Sequence, residues 1–122
     1  MKNLSPQSVV QTQLDAYNAK DIEALLRTYA LDAEQFTLHG ERIAKGHAEM
    51  RPRLMQRFAE PHLHARLISR SVIGNVVVDV ESITRDFPEG VGTLELPCLY
   101  EVREGLIQRV SFVTGEKTLR AG

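Results

Sequence analysis

Apolar residues recur at helical spacing over the first third of the chain and alternate with polar residues over the second half. The first helix is predicted to begin at Ser5-Pro6, because Ser is a good N-cap and Pro suits the first helical position. It should end near Asn18-Ala19, and Asp21 should cap a second helix. The predicted buried positions of these two helices are Val9, Val10, Leu14, Tyr17, Ile22, Leu25, Leu26 and Tyr29.

A short hairpin and a third helix are predicted before the β half. Residues 34–44 have an extended pattern broken at Gly40, which indicates two short strands. Gly46–Phe58 has helical periodicity, but Pro52 lacks an N–H and disfavours helical angles at Arg51. We therefore expect that this helix either begins near Arg51 or has a distorted first turn.

The β half is predicted to form long antiparallel strands over residues 63–73, 76–87, 93–103 and 106–117. A two-residue turn at Gly74-Asn75 joins the first two, and glycine in the first place favours type II′. That turn sets a register in which Ile73 pairs with Val76, Arg70 with Asp79 and Ile68 with Glu81. Pro97, inside the third strand, implies an edge position or a bulge, since proline cannot donate to a ladder.

This order of elements is typical of an α+β fold, and a chain of 122 residues suits a single domain over residues 1–122. Long strands must bend to pack on short helices, and a bent sheet has a concave side. We predict a cone-shaped fold in which three helices pack on a strongly bent, mostly antiparallel sheet. Concave and mostly apolar sites of this kind bind small molecules.

Composition and charge exclude several classes of function. The chain is 43% hydrophobic and 25% charged with a net charge of −1, so its overall field does not favour nucleic acid. We expect no membrane span, no secretory signal and no cofactor or metal. The single cysteine suits a reducing compartment, so we expect a cytoplasmic protein. Residues 41–70 hold seven Lys or Arg against three Glu, which indicates either an anion or RNA patch or a solvated surface.

Two strings in this layout carry a resemblance to a known family: LDAYNAKDIEALLRTYALDAE near the start, and VTGEK after the YEVREG hairpin. From about Ser8 to Leu119 the chain resembles the nuclear transport factor 2-like superfamily, and within it the SnoaL-like and ketosteroid-isomerase-like proteins. The resemblance implies the cone-shaped fold and its pocket. It does not imply one function, because isomerases, cyclases, dehydratases, epoxide hydrolases and non-catalytic domains share this fold.

The catalytic residues of the ketosteroid isomerases are not retained in this sequence. The resemblance places their first-helix tyrosine at Gln13, their base at Thr37 and their second acid at Cys98 or Leu99. Gln13 can still donate a hydrogen bond, but Thr37 cannot act as a base near neutral pH. The resemblance therefore argues against steroid isomerisation by that mechanism.

His39 is the first candidate for a base, because it lies beside the lost base position and histidine titrates near neutral pH. The alternative is a solvent-exposed histidine of the hairpin turn. His62 and His64 alternate on a strand and could share a metal, but no third ligand is evident, so we interpret them as surface residues. Cys98 lies on the apolar side of its strand with no evident activating partner, and we interpret it as a buried apolar residue.

Asp79 and Glu81 are a second candidate, because a carboxylate pair on the pocket face can transfer protons. The valines that alternate with them, at positions 76, 78 and 80, look more like core. The alternative is therefore a polar sheet face on which Arg70 and Asp79 form a cross-strand ion pair.

We predict a pocket for a small, largely apolar or amphipathic molecule, lined by Tyr17, Thr37, His39, Phe58, Cys98, Tyr100, Phe112 and Thr114. An enzyme with this pocket would use acid–base chemistry of isomerase, dehydratase or cyclase type, with His39 as base and a tyrosine polarising a carbonyl. The alternative is a non-catalytic interaction or ligand-carrier module. It would form a homodimer through a sheet face that carries Ile68, Arg70, Val72, Val77, Asp79, Glu81 and Ile83.

Overall fold

The computed structural model describes residues 4–120, so the extreme ends of the predicted 1–122 domain lie outside it. Helix α1 (Pro6–Ala19) begins as predicted, because the Ser5 hydroxyl accepts a hydrogen bond from the Ser8 N–H. Helix α2 (Ile22–Leu26) is capped in the same way by the Asp21 carboxylate. Both predicted helix starts are confirmed.

The first strand begins earlier than the sequence pattern predicts. Strand β1 spans Tyr29–Thr37, so Tyr29 is buried in the sheet and not on α2. The reason is a long-range pairing with the last long strand, in which Ile107 donates its N–H to the Thr28 carbonyl and lies opposite Tyr29. Local periodicity does not report such a pairing.

Strand β2 (Arg42–Lys45) leads directly into helix α3 (Gly46–Phe58), without an intervening loop. The expectation that this helix starts near Arg51 was wrong, since its N-terminal turns precede Pro52 and the helix continues through it. Gly46 has a φ of +78°, a left-handed conformation that glycine adopts readily. That conformation turns the chain from the extended β2 into the helix.

Five further strands complete the sheet: β3 (His64–Ile73), β4 (Val76–Phe87), β5 (Gly90–Arg103), β6 (Leu106–Phe112) and β7 (Lys117–Leu119). The strand order is β2-β1-β6-β5-β4-β3, and β7 pairs with the first part of β5. Among the strand pairs formed within residues 4–120, only β1 and β6 are parallel. The helices and this strongly curved, unclosed mixed sheet confirm the predicted α+β fold. The single long strand predicted over residues 106–117 is instead divided into β6 and β7.

The turn between β3 and β4 has the predicted conformation and sets most of the predicted register. Gly74 has a positive φ of 59° and Asn75 does not, as type II′ requires. The pairs nearest the turn, including Arg70 with Asp79, are confirmed. The predicted pairing of Ile68 with Glu81 was wrong, because an irregularity between Leu67 and Ser69 shifts the register and places Leu67 opposite Glu81.

Pro97 lies in an uninterrupted ladder with β4, so no bulge forms there. On its other side β5 pairs with β7 up to Leu94 and with β6 from Cys98 onward. Pro97 thus lies in the gap between these two ladders, where its carbonyl accepts a hydrogen bond from the Val113 N–H. The strand has a local edge at this point, and a missing N–H disrupts no ladder bond.

The two faces of β4 are the reverse of what the valine pattern suggested. Val77, Asp79, Glu81 and Ile83 are buried on the inner, concave face, against which α1 packs. Val76, Val78 and Val80 lie on the outer, convex face and are only half-buried. The face predicted to form a homodimer contact is therefore largely the interior of the chain, although Ile68 and Val72 at its margin are exposed.

No helix within residues 4–120 combines the length and the apolar character needed to cross a membrane.

Candidate functional site

A cavity of about 440 Å³ lies between the helices and the inner face of the sheet. Helices α1 and α3 supply one wall, and β1, β2, β4, β5 and β6 supply the other. Its lining is apolar at Leu14, Ile43, Leu54, Ile83, Leu96, Cys98 and Phe112. It is polar or charged at Gln13, Tyr17, Gln35, Arg53, Gln56, Arg57, Glu60, Glu81, Arg85, Tyr100 and Thr114.

Glu81 is the carboxyl group inside this cavity. Its side chain projects from the inner face of β4, opposite Leu96, and the residue is only 4% exposed. Burial, together with the nearby negative charge of Asp79, raises the pKa of Glu81 to about 7, although Arg70 acts in the opposite direction. A carboxyl group with this pKa can both accept and donate a proton near neutral pH.

Asp79, two residues before Glu81 on the same face, is fully buried and has a partner. Arg70 donates to both of its carboxylate oxygens, at 2.7 Å from Nε and 2.9 Å from Nη2. The third guanidinium nitrogen donates to Gln11 Oε1 at 2.8 Å, which links the pair to α1. The ion pairs formed within residues 4–120 do not include Glu81. Glu81 is thus the carboxyl of the two that is open to a ligand.

Two tyrosine hydroxyl groups reach the cavity. Tyr100 is buried on β5, and its hydroxyl donates to Gln13 Oε1 at 3.3 Å. Burial raises the pKa of Tyr17 to about 12 and raises that of Tyr100 well above its usual range. Both hydroxyls therefore keep their protons at neutral pH. The Tyr17 hydroxyl can donate a hydrogen bond to a ligand oxygen, whereas the Tyr100 hydroxyl already donates to Gln13.

Three arginines lie at a more exposed part of the lining. Arg85, on the same face of β4 as Glu81, donates from Nε and Nη2 to the two oxygens of Glu60, at 2.8 Å each. Arg57 Nε lies 3.6 Å from the same carboxylate. Arg53 lies one helical turn before Arg57 on α3. This part of the cavity holds more positive than negative charge.

Five of the eight residues predicted to line the pocket border the cavity: Tyr17, Cys98, Tyr100, Phe112 and Thr114. Thr37 does not, and its hydroxyl instead accepts a hydrogen bond from the Glu41 N–H. Phe58 is buried behind the wall, where its ring packs edge-on against Tyr17 with 5.5 Å between centroids. His39 is exposed in the turn between β1 and β2 and is not among the lining residues. Gln13 and Cys98, placed at isomerase positions by resemblance, do border the cavity.

The cavity also contains residues that the sequence analysis did not assign to it, above all Glu81, Gln35, Arg57 and Arg85. The turn between β4 and β5 does indicate on which face of β4 Glu81 lies. The loop of Pro88 and Glu89 pairs Phe87 with Gly90, and this register places Glu81 opposite Leu96 on the apolar side of β5. Pairing across the turn is therefore a better guide to the face than the valines alone.

Within residues 4–120, neither Cys98 nor His62 has the surroundings of a reactive or metal-binding side chain. Burial, with the Glu81 charge nearby, raises the pKa of the Cys98 thiol, so it remains protonated. His62 hydrogen-bonds Asp86 at the surface through Nδ1 at 2.7 Å. Residues 4–120 contain no group of three or more His, Cys, Asp or Glu residues arranged to hold a metal ion.

Solved structures with the same fold cover most of this chain. An uncharacterized cystatin fold protein from Novosphingobium aromaticivorans is 24% identical over 91% of this chain and 99% of its own, with a TM-score of 0.84. A nuclear transport factor 2-like protein of unknown function from Cytophaga hutchinsonii is 13% identical over 93% and 92%, with a TM-score of 0.77. A candidate polyketide cyclase from Sinorhizobium meliloti is 22% identical over 86% and 93%, with a TM-score of 0.73. At these identities the comparison establishes the fold and not the activity.

The comparison with curated protein sequences found no significant match. The family model for the SnoaL-like domain matches residues 10–110, which include most of α1, all of α2 and α3, strands β1 to β5, most of β6 and the Glu81 carboxyl. The chain has the nuclear transport factor 2-like fold and belongs to the SnoaL-like domain family.

Proposed function

We propose that this protein binds a small, largely apolar molecule in the cavity and transfers a proton on it through Glu81. The observation that carries the proposal is a buried carboxyl group, without an ion-pair partner in residues 4–120, that faces a cavity and has a pKa of about 7. Cavities of a few hundred Å³ with apolar walls and a few polar groups are typical of small-molecule sites. Perturbed carboxyl groups in such cavities are candidates for acid–base catalysis.

The proposed chemistry is removal of a proton from a carbon next to a carbonyl, and its return at another atom. The Glu81 carboxylate accepts the proton, and the resulting carboxylic acid donates it back. In this proposal the Tyr17 hydroxyl donates a hydrogen bond to the enolate oxygen formed between the two steps, and the Tyr100 hydroxyl would have to release Gln13 to do the same. We assign the base to Glu81 and not to His39, because His39 is exposed outside the cavity lining.

Isomerisation, ring closure and loss of water can all begin with such a proton transfer. One structural neighbour is a candidate polyketide cyclase, and that chemistry uses carbon acids of this type. The alternative is a carrier that binds the same molecule without reaction. In a carrier the raised pKa of Glu81 would be only a result of its burial.

A reactive probe tests whether Glu81 can act as a base in this cavity. 5-Nitrobenzisoxazole reacts in one step, in which a base removes its carbon-bound proton, the N–O bond breaks and a coloured cyanophenolate is released. We expect a rate that rises with pH as Glu81 ionises near pH 7 and falls at least a hundredfold in Glu81→Gln. Glu95→Gln, which changes an exposed carboxyl, is the matched control. Equal rates for the wild type and Glu81→Gln would contradict the assignment of Glu81 as the base.

We also propose that the protein forms a homodimer, through the outer face of the sheet. The outer face is defined here by Val76, Val78, Val80, Pro97 and Leu99, which lie side by side on β4 and β5. All five are half-buried in one chain, so a partner surface would remove further apolar area from water.

A further inference from the structure

The residues that line the cavity carry more positive than negative charge. Three arginines and two glutamates line it, and one of the glutamates, Glu81, is largely protonated below pH 7. The other, Glu60, is held by two hydrogen bonds from Arg85 and is shared with Arg57. Two guanidinium groups therefore have one carboxylate between them, and the cavity has unneutralised positive charge.

Arg57 is the less satisfied member of this cluster. Its nearest carboxylate contact is the 3.6 Å approach of Nε to Glu60, whereas Arg85 makes a two-bonded pair. The Arg57 side chain is 38% exposed, against 19% for Arg85. Burial and the neighbouring Arg85 charge both lower the pKa of Arg57. The positive charge of Arg57 is therefore not fully balanced by nearby negative charge. Arg53 takes no part in the ion pairs formed within residues 4–120.

The arginines and Glu81 lie at different depths of one cavity. Arg85 and Glu81 are four residues apart on the inner face of β4, a separation of about 14 Å along an extended strand. Ile83 lies between them on that face, and Leu96 faces Glu81 from β5. Exposure rises from Glu81 to Arg85 and Arg57, so the arginines are on the solvent side.

We propose that the ligand of this cavity is an amphipathic organic acid, whose anionic group binds Arg57 and Arg53 at the solvent side while its apolar body extends past Ile83 toward Glu81. This inference rests on the proposed function, since it names the class of molecule that occupies the proposed site. A guanidinium group with free N–H donors binds carboxylate or sulfonate oxygens through charge-assisted hydrogen bonds. The apolar body supplies the remaining affinity.

A pair of fluorescent probes tests the anionic group separately from the cavity. 8-Anilinonaphthalene-1-sulfonate and N-phenyl-1-naphthylamine share one aromatic framework, but only the first carries a negative charge. We expect the wild-type protein to bind the sulfonate about tenfold more tightly than the neutral probe, with an advantage that shrinks as salt is added. Arg57→Gln should remove most of this advantage and leave the affinity for the neutral probe unchanged.

Arg66→Gln is the matched control, since Arg66 is an exposed arginine of β3 on the opposite face of the sheet. It should retain the preference for the sulfonate. Equal affinities of the wild type for both probes would overturn the anionic ligand but leave the proposed apolar site intact. Loss of the preference in Arg66→Gln, or its retention in Arg57→Gln, would also overturn it. Failure of both probes to bind would instead contradict the proposed function itself.

Discussion

Asp79 and Glu81 are two carboxyl groups on one face of one strand, and their surroundings give them different roles. Asp79 is enclosed by the Arg70 guanidinium, so its charge is balanced inside the protein. Glu81 faces the cavity, and the cost of burying its charge is not balanced in this way. The same pattern of two acids thus provides a structural ion pair and a group that can exchange protons.

The raised pKa of Glu81 predicts how stability depends on pH. Below about pH 4.5 the carboxyl is protonated in both the folded and the unfolded chain and has no effect. Between about pH 4.5 and 7 the unfolded chain loses this proton while the folded protein keeps it, so the free energy of unfolding falls by about 3 kcal/mol. Urea denaturation of the wild type and of Glu81→Gln from pH 4.5 to 8 measures this loss. The contributions of other titrating groups are the same in both proteins, so they cancel in the difference between the two free energies of unfolding. A pH-independent difference between the two proteins would contradict the prediction.

The Arg70–Asp79 pair should control the ionisation of Glu81. In Asp79→Asn a negative neighbour is lost and the charge of Arg70 remains, so the pKa of Glu81 should fall by about one unit or more. In Arg70→Gln the Asp79 charge is uncompensated, so the pKa of Glu81 should rise. Titration of the Glu81 carboxyl carbon by NMR distinguishes the two directions, and Arg70→Lys serves as the charge-preserving control. Shifts of the same sign in Asp79→Asn and Arg70→Gln would exclude this electrostatic coupling.

Single candidate residues are the part of the site that the sequence predicted least well. His39 is a candidate because of its residue type and its place beside a family position, but it is exposed in its turn and is not among the residues that line the cavity. For Glu81 the sequence leaves both faces of the strand open and favours the polar face, because three valines alternate with the two acids. A buried acid opposes the hydrophobic pattern, so functional residues of this type are the ones that pattern analysis misplaces.

At the scale of elements, the junction between β2 and α3 depends on one glycine. Gly46 has a φ of +78°, and an added Cβ would lie 3.2 Å from the Leu31 carbonyl oxygen. Gly46→Ala should therefore lower the free energy of unfolding by about 1–2 kcal/mol from backbone strain, and further from this contact. Gly40→Ala is the control, since it also has a positive φ but no atom within 4 Å of the added Cβ. Chemical denaturation that shows Gly40→Ala to be the more destabilised variant would refute the role of the Leu31 contact.

Elements defined by local signals were predicted well, and those defined by distant partners were not. Ser5, Asp21 and the Gly74-Asn75 turn act within a few residues, so their caps and turn type follow from the sequence. The early start of β1 and the irregularity near Ile68 depend on pairing with other strands. The division between β6 and β7 likewise follows from how each pairs with β5.

At the scale of the whole molecule, the half-buried apolar residues on the outer face of the sheet lead us to predict a homodimer. We expect the protein to sediment as a dimer at micromolar concentration, and Val78→Lys to shift it toward the monomer, because a charge would be buried at the centre of the contact. Met55→Lys is the control, since Met55 is an apolar residue on α3, away from the outer face of the sheet, although it is more exposed than Val78. A wild-type monomer, or a dimer unaffected by Val78→Lys, would contradict the predicted interface.

The fold as a whole was predicted because its signals are many and consistent. The helix caps, the hairpin turns and the resemblance of two strings all favour the same α+β arrangement, which the SnoaL-like domain match confirms. The position of the cavity follows from that arrangement, and five of the eight residues predicted to line a pocket border it. Its charge does not follow, because Arg57 on α3 lies close to Arg85 and Glu81 on β4 only in the folded chain.

The interval between β6 and β7 has a consequence for the shape of the cavity. Its backbone is tied to β5 on either side of Thr114, by the N–H groups of Val113 and Gly115. Thr114 itself is exposed, lies in neither ladder and borders the cavity. Exchange of this side chain therefore alters the shape of the cavity without loss of a sheet hydrogen bond. If the cavity binds a ligand as proposed, a change at this position would alter which molecules fit while the sheet hydrogen bonds are kept.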